Sequence, residues 1–506
     1  MDDIEPFVPM SELERRFEKA RVRAGLALAP LLFIGILFAP IAPLRDKPEA
    51  HRLAAVMAAV IALWITEALP MPVTAVLGAV ACTLLRVADA KTIFAPFADQ
   101  LMFLFIGSFM LARAIFLHGL DRRVAFGVMS LGWVGGRPGR ILFAFGAVTA
   151  FISAWISNTA TTAMMMAIGL SMIHFLFDRK NIAVLGIDRR YATGLMLITS
   201  FAASIGGLAT PIGTPPNVIG VGLIRKFLGV EISFFNWMLV GVPVVVILYL
   251  FLFAYLNWFC PAGVRELAGS QEMLRKNRDS LGPWTTAQIS VLIAFLTTVV
   301  LWIAPGVVAL VSGEESAVYK AMRERLPEGV AALIGAGLLF LLPGKDGGRA
   351  ITWGEAVKID WGVVLLDGGG FSRGELTRLT GLADAVGQGL AGWIPLSGEF
   401  GLLLASTLVA TLCSETTSNT ASANIVIPLV ISLARAAGVD PLTPALGATF
   451  GASLGFMLPV STPCNAIVYG TGYIPLTRMI RYGLLLDVVG VAVIVGLLYV
   501  LAPVIR

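Results

Sequence analysis

The sequence predicts an all-α polytopic membrane protein made of two inverted repeats, with about eleven membrane spans and two re-entrant helical hairpins. Three observations carry this. Of 506 residues, 57% are hydrophobic and only 14% charged, with a mean hydropathy of +0.85, whereas a soluble chain carries about 25% charged residues. Ser157-Asn158-Thr159 returns 261 residues later as Ser418-Asn419-Thr420, each copy inside a long apolar run. The basic residues between runs are unevenly shared, as the positive-inside rule requires of a polytopic chain.

The elements follow in order. Residues 1–23 are polar and charged before any apolar run, the wrong order for a cleaved leader with its short basic start. They are expected to be a cytoplasmic segment, and the first run a retained span. Runs long enough to cross, about 20 residues each, lie near 24–44, 51–69, 72–88, 97–118, 191–227, 236–258, 284–304, 327–343, 359–387, 441–470 and 480–503. Two further runs, 139–177 and 398–435, hold the Ser-Asn-Thr motifs in their middles and read as hairpins that return to their own side. The first repeat then spans 24–258, a cytoplasmic linker 259–283, and the second repeat 284–506.

With both hairpins re-entrant and the N-terminus inside, the cytoplasmic segments hold 22 Lys and Arg and the outer ones 14, with Arg113 left inside a span. That orientation puts the C-terminus outside. It also brings the first hairpin in from the cytoplasm and the second from outside, so the halves are inverted, a mark of secondary transporters. The small surplus of 37 Lys plus Arg over 32 Asp plus Glu is explained by these loops and gives no reason to expect nucleic acid.

The duplication extends beyond the tripeptide. Ala203-Ser204-Ile205-Gly206 leads to Thr214-Pro215-Pro216-Asn217, and Ala452-Ser453-Leu454-Gly455 leads to Thr462-Pro463-Cys464-Asn465, at offsets of 249 and 248. Upstream, Gly107 and Gly368 keep the 261 offset. Prolines cannot continue a helix, so each Pro-rich stretch breaks one at membrane depth, where irregular backbone is tolerated only if it is buried in protein or lines a cavity. Each break frees carbonyls at the end of one half-helix and N–H groups at the start of the next. Ser, Asn and Thr at the tips add oxygens for a hard cation and donors for an anion. This is a site chemistry for small ions. An isolated Ser-Asn-Thr is more often helix packing; its duplication beside duplicated breaks favours ligand binding.

Five charges fall within apolar runs: Glu67, Arg113, Asp367, Arg373 and Glu415. Such residues are functional candidates by default, although Glu67 also fits a helix end, Glu415 a support for the second tip, and Asp367 with Arg373 a simple pair. Enzyme readings find little. Gly451-Ala452-Ser453-Leu454-Gly455 fits the nucleophile-elbow pattern, but only His51, His118 and His174 could serve as base, and no H-E-x-x-H or P-loop is present. The cysteines Cys82, Cys260, Cys413 and Cys464 are far apart and form no metal-binding spacing or disulfide framework. No organic cofactor is expected.

Over residues 24–503 the chain resembles the divalent anion/sodium symporters, carriers of dicarboxylates, citrate and sulfate. The likeness rests on the paired Ser-Asn-Thr tips, on Gly213-Thr214-Pro215-Pro216-Asn217 and Ser461-Thr462-Pro463-Cys464-Asn465, and more weakly on Trp64 to Pro70. The resemblance implies that family's ion-transporter fold in a bacterial inner membrane: a homodimer whose scaffold and moving transport domain interleave both repeats and work as an elevator. It implies a first sodium site from Ser153, Ser157, Asn158 and Gly213, and a second from Ser414, Thr417, Asn419 and Ser461. It implies that the substrate anion meets Ser157, Asn158, Thr159, Thr214 and Pro215 from one repeat and Ser418, Asn419, Thr420, Thr462 and Pro463 from the other. The sequence departs from the family at Cys464, usually proline, and at Asp367, usually apolar. The function implied is sodium-coupled symport of a divalent anion, a C4 dicarboxylate of the succinate or malate kind. The rivals are a sodium-independent exchanger, a carrier of citrate or sulfate and, more distantly, a membrane hydrolase.

Overall fold

Hydrophobic side chains face outward over much of this molecule. In the computed structural model, which describes residues 12–177, 187–267, 269–391 and 398–505, Leu31, Phe38, Val300, Leu310, Val311 and Val488 are all exposed. In water that surface would be a liability; in a bilayer it is the solvent face. Residues 178–186, part of the basic count above and expected on the cytoplasmic side, lie outside the described residues, as do 1–11.

The principal helices are α1 (Glu12–Phe38), α2 (Pro48–Thr66), α3 (Met71–Leu84), α4 (Gln100–Leu117), α5 (Pro138–Ser153), α6 (Asn158–Leu176), α7 (Arg190–Gly206), α8 (Pro215–Leu228) and α9 (Phe234–Phe259) in the first repeat. The second holds α10 (Thr286–Ser312), α11 (Glu328–Leu341), α12 (Trp361–Leu379), α13 (Glu399–Thr416), α14 (Asn419–Ala436), α15 (Leu442–Gly451), α16 (Pro463–Tyr469) and α17 (Leu476–Ile505). Each expected run is helical. Among the described residues, eight helical stretches are long and apolar enough to cross a membrane, from Lys19–Phe38 to Leu476–Leu501. The shorter apolar helices α3, α5 and α11 fall below that length.

Burial separates two kinds of helix. The α7 stretch is apolar all round and wholly enclosed, from Tyr191 to Gly206, so it is protein core and not lipid face. The Lys19–Phe38 part of α1 is nearly bare. Two apolar cores result: one under α2, α3 and part of α12, around Leu53, Trp64, Ala75 and Leu376, and a larger one through the hairpins, breaks and α9.

The repeats match in their packing as well as their letters. The first hairpin is α5 and α6, joined by a four-residue tip, and the second is α13 and α14. Each second arm begins on the Asn of its Ser-Asn-Thr, with the preceding Ser as N-cap. Helix α7 packs on α5 as α15 packs on α13. Across the repeats, α8 lies against α14 and α16 against α6. A Cβ on Gly206 would run into the Ala150 backbone and one on Gly451 into that of Thr407, so glycine sets the distance between each broken helix and its hairpin.

The intramembrane charges find distinct places. Glu67 is the left-handed C-cap of α2 (φ 47°) and pairs with Arg21 at 2.7 Å, a helix-end role. Arg113 reaches Glu355 at 2.5 Å; Lys358, then Arg113, hold the Glu355 carboxyl below the usual carboxylate range. Asp367 and Arg373 do not pair. Asp367 is fully buried with neither oxygen hydrogen-bonded, while Arg373, six residues on, stacks its guanidinium 4.4 Å from the Trp64 ring and bonds Ala75 O at 3.3 Å. Six residues on an α-helix is 600° of rotation, which turns the two side chains to different faces.

Candidate functional site

The two breaks are built alike. After α7, residues 207–209 tighten into a 3-10 turn, and Thr210–Thr214 leave the helix before Pro215 starts α8 at its first position. After α15, the chain runs non-helical to Thr462, and Pro463 starts α16. Thr214 and Thr462 share nearly one conformation, φ −147°, ψ 143° and φ −143°, ψ 149°. Proline belongs at that position because the missing N–H would have no partner in any case.

Buried backbone groups freed at a break must be satisfied, and the Asn two residues after each Pro does it. Asn217 Nδ2 donates to Gly207 O at 2.9 Å and Thr210 O at 2.8 Å. Asn465 Nδ2 donates to Gly455 O at 2.9 Å and Leu458 O at 3.0 Å. Thr210 Oγ1 donates to Ala154 O, and Trp237 Nε1 to Leu208 O, fastening the first break to the hairpin and to α9. Asn217 and Asn465 were visible in the repeated motif, but sequence reasoning gave them no role.

What gathers beneath the first tip is oxygen. One terminal atom of the Asn158 amide stands 2.7 Å from Ser153 Oγ, 3.1 Å from Ala203 O and 3.2 Å from Gly213 O. With the amide nitrogen in that place it donates to all three. With the amide oxygen there, four oxygens converge, the donor set of a hard cation. Ser153 is fully buried, and a Cβ on Gly207 would strike the Asn158 amide. Ser157, the N-cap, is exposed instead.

The second repeat repeats this cluster with changes. Ser414 Oγ donates to Asn419 Oδ1 at 2.7 Å and to Ala452 O at 2.9 Å. A Cβ on Gly455 would sit 3.2 Å from Ser414 Oγ, 3.5 Å from Asn419 Oδ1 and 3.5 Å from Ser461 Cβ, so these three residues enclose Gly455 where the Asn158 amide alone crowds Gly207. Thr417 turns its hydroxyl to Cys413 O at 2.8 Å, and Ser461 donates to Glu415 Oε2 at 2.6 Å. The carbonyls of Ala203 and Ala452, supplied by the shared Ala-Ser motif, are candidate oxygens of the two clusters that side-chain reasoning does not find.

Around these buried oxygens lie the more open groups expected to meet an anion. Asn158, Thr159, Ser418, Asn419, Thr420 and Pro215 are half-buried and Pro463 is exposed, whereas Thr214 and Thr462 are buried. Cys464 ties the repeats together: its side chain lies among Thr159 and Thr162 of the first hairpin and Ser204 of α7. Neither tip nor either break contains a Lys or Arg. Among the described residues, no cluster of three or more His, Cys, Asp or Glu is arranged for a metal.

A family profile described as "Sodium:sulfate symporter transmembrane region" matches residues 22–504. The sodium-dependent dicarboxylate transporter SdcS of Staphylococcus saprophyticus is 34% identical over 95% of this chain and 91% of its own. SdcS of Staphylococcus aureus is 32% identical over 99% and 94%. Among solved structures, Neisseria gonorrhoeae MtrF superposes with a TM-score of 0.53 at 12% identity, over 82% of this chain and 83% of its own, a likeness of fold alone. The chain therefore belongs to the sodium:sulfate symporter family, the divalent anion/sodium symporters whose paired motifs its sequence carries.

Proposed function

We propose that this chain is a sodium-coupled symporter that moves a C4 dicarboxylate dianion, of the succinate or malate kind, inward through the membrane, and that it is not an enzyme. The observation that carries the reading is the duplicated oxygen cluster, Ser153–Asn158 and Ser414–Asn419, beneath two half-open tips with no cationic side chain. Two negative charges held there need a counter-charge, since a bare buried charge costs many kcal/mol. Half-helix N-termini supply roughly half a unit each, and two bound sodium ions would supply the rest. Sodium is thus both cargo and part of the binding site.

The movement that fits is an elevator in which the hairpins, α7–α9 and α15–α17 travel as one body past a scaffold of α1–α4 and α10–α12, in each protomer of a homodimer. Its support is the packing of each hairpin onto the opposite repeat's post-break helix, which makes the ion clusters a unit. The same reading has the N-terminus in the cytoplasm and the C-terminus outside the bacterial inner membrane, which the uneven share of Lys and Arg between the loops supports.

Uptake of succinate by proteoliposomes containing the purified protein tests the reading. An inward sodium gradient should drive accumulation, and choline or potassium should not replace it. Uptake of equal rate in sodium and in choline would overturn the coupling in favour of exchange. Accumulation of sulfate or citrate in preference to succinate would overturn the substrate.

A further inference from the structure

The second repeat carries two acids that the first does not. Glu415 lies at the end of α13 beside the Ser414–Asn419 cluster, and Asp487 lies on α17, within a run where sequence reasoning picked out no charge. Both are buried, at 2% and 4% exposure. The Asp487 carboxyl faces the Glu415 carboxyl and the Phe456 backbone, and among the described residues no donor stands in full hydrogen-bond geometry to either Asp487 oxygen. Glu415 is held by its own donors: Met457 N reaches Oε1 at 2.8 Å and Ser461 Oγ reaches Oε2 at 2.6 Å. Among the described residues, no Lys or Arg acts on Asp487.

The helix is brought there by design of its surface. Gly483, Asp487 and Gly490 recur at i, i+4 and i+7, one face of α17. A Cβ on Gly483 would collide with the Phe456–Met457 backbone, and one on Gly490 would meet Leu454 at 2.9 Å, so this face presses directly on the second break. The first repeat makes the same contact: Gly241 of α9 abuts Leu208 O, with Gly241 standing to Leu208 as Gly483 stands to Phe456. By that correspondence Val245 occupies the place of Asp487, and the 261-residue offset puts Ala154 in the place of Glu415. The fold is therefore made once with an apolar pair at this position, and the acids answer to something other than packing.

We propose that Glu415 and Asp487 hold one further sodium ion, beside the second Ser-Asn cluster and absent from the first repeat. The proposal rests on the sodium-symport reading. Two facing carboxylates in a dry site repel each other unless a cation or a shared proton lies between them, and of the two a hard cation is the one that takes several carboxylate oxygens as ligands. A single positive charge leaves the pair with one net negative charge, which Met457 N–H and the Ser461 hydroxyl already face. Ser461 shares its one hydroxyl hydrogen between Glu415 Oε2 and Glu415 O, the latter at 3.0 Å, so it joins this ion to the neighbouring cluster and makes the two occupancies interdependent.

The test compares the wild type, Asp487→Asn, and the double variant Glu415→Ala with Asp487→Val, which copies the first repeat's residues and so keeps a packing this fold already uses. In proteoliposomes, the reversal potential of succinate flux gives sodium ions per substrate. The wild type is expected to couple one more sodium than either variant. Binding of radioactive sodium to the purified protein should fall by one ion per protomer in both. Equal stoichiometry and equal sodium binding in wild type and variants would overturn the proposal, as would a wild-type reversal potential that follows a pH gradient in place of the extra sodium. A wild type whose uptake ignores sodium would remove the symport reading instead, and the radioactive-sodium measurement would then still decide this site.

Discussion

At the scale of single residues the proposed site depends on two matched Ser-Asn contacts. Asn158 and Asn419 each bring an amide to a buried serine at 2.7 Å, and each begins a hairpin's second arm. Asn158→Ala or Asn419→Ala should therefore abolish sodium-dependent uptake while the purified protein keeps its helical circular dichroism; a variant with wild-type sodium affinity would refute the assignment of that cluster. The glycines beneath the amides give a graded version of the same experiment. A methyl on Gly207 would overlap the Asn158 amide, whereas one on Gly455 meets its neighbours at 3.2–3.5 Å. Overpacking costs about 1–3 kcal/mol where neighbours cannot give way. Gly207→Ala should raise the half-saturating sodium concentration more than Gly455→Ala, as a sodium titration of uptake would show, and the reverse order would mean the second cluster dominates coupling.

At the scale of elements, the two half-helices after the breaks start with the same Thr-Pro but are capped differently. Thr462 Oγ1 accepts from Asn465 N at 3.1 Å, while Thr214 makes no such cap to α8. Losing an N-cap costs about 1 kcal/mol, so Thr462→Val should lower the thermal midpoint in substrate-free detergent solution and Thr214→Val should lower it less. Equal losses would show that the caps do not matter in a buried break. These elements were legible because proline and the repeated tripeptide punctuate apolar runs, and the hairpins, broken helices and paired Ser-Asn contacts all follow from that punctuation. Other parts were not. Asp487 is a single letter in an apolar helix, 72 residues from Glu415, and only the folded chain brings the two together. Asp367 and Arg373 invite pairing by nearness in sequence, yet the helix turns them to different faces. The Ala203 and Ala452 carbonyls have no side-chain signal at all, since backbone ligands are set by where a helix stops.

At the scale of the whole molecule, inversion decides whether two similar clusters can form one midplane site. Two repeats of the same orientation would put both hairpin bases on one side of the membrane, and the tips could not approach the centre from opposite sides. The basic residues favour inversion: the segments flanking the first hairpin are rich in Lys and Arg, while the end of the second hairpin carries Arg435 alone, in the last turn of α14. The protein's own thiols do not obscure a test, because Cys82, Cys260 and Cys464 are buried and Cys413 is half-buried. Trp133 and Arg189 flank the first hairpin and Glu399 and Ala437 the second, all four exposed. Single cysteines at 133 and 189 should react with an impermeant maleimide only when it reaches the cytoplasmic face, and those at 399 and 437 only from the outside. Should 133 and 189 label from opposite faces, the first hairpin would be a full crossing, every later loop up to the second hairpin would change sides, and the twofold relation that sets Ser153–Asn158 opposite Ser414–Asn419 would be lost.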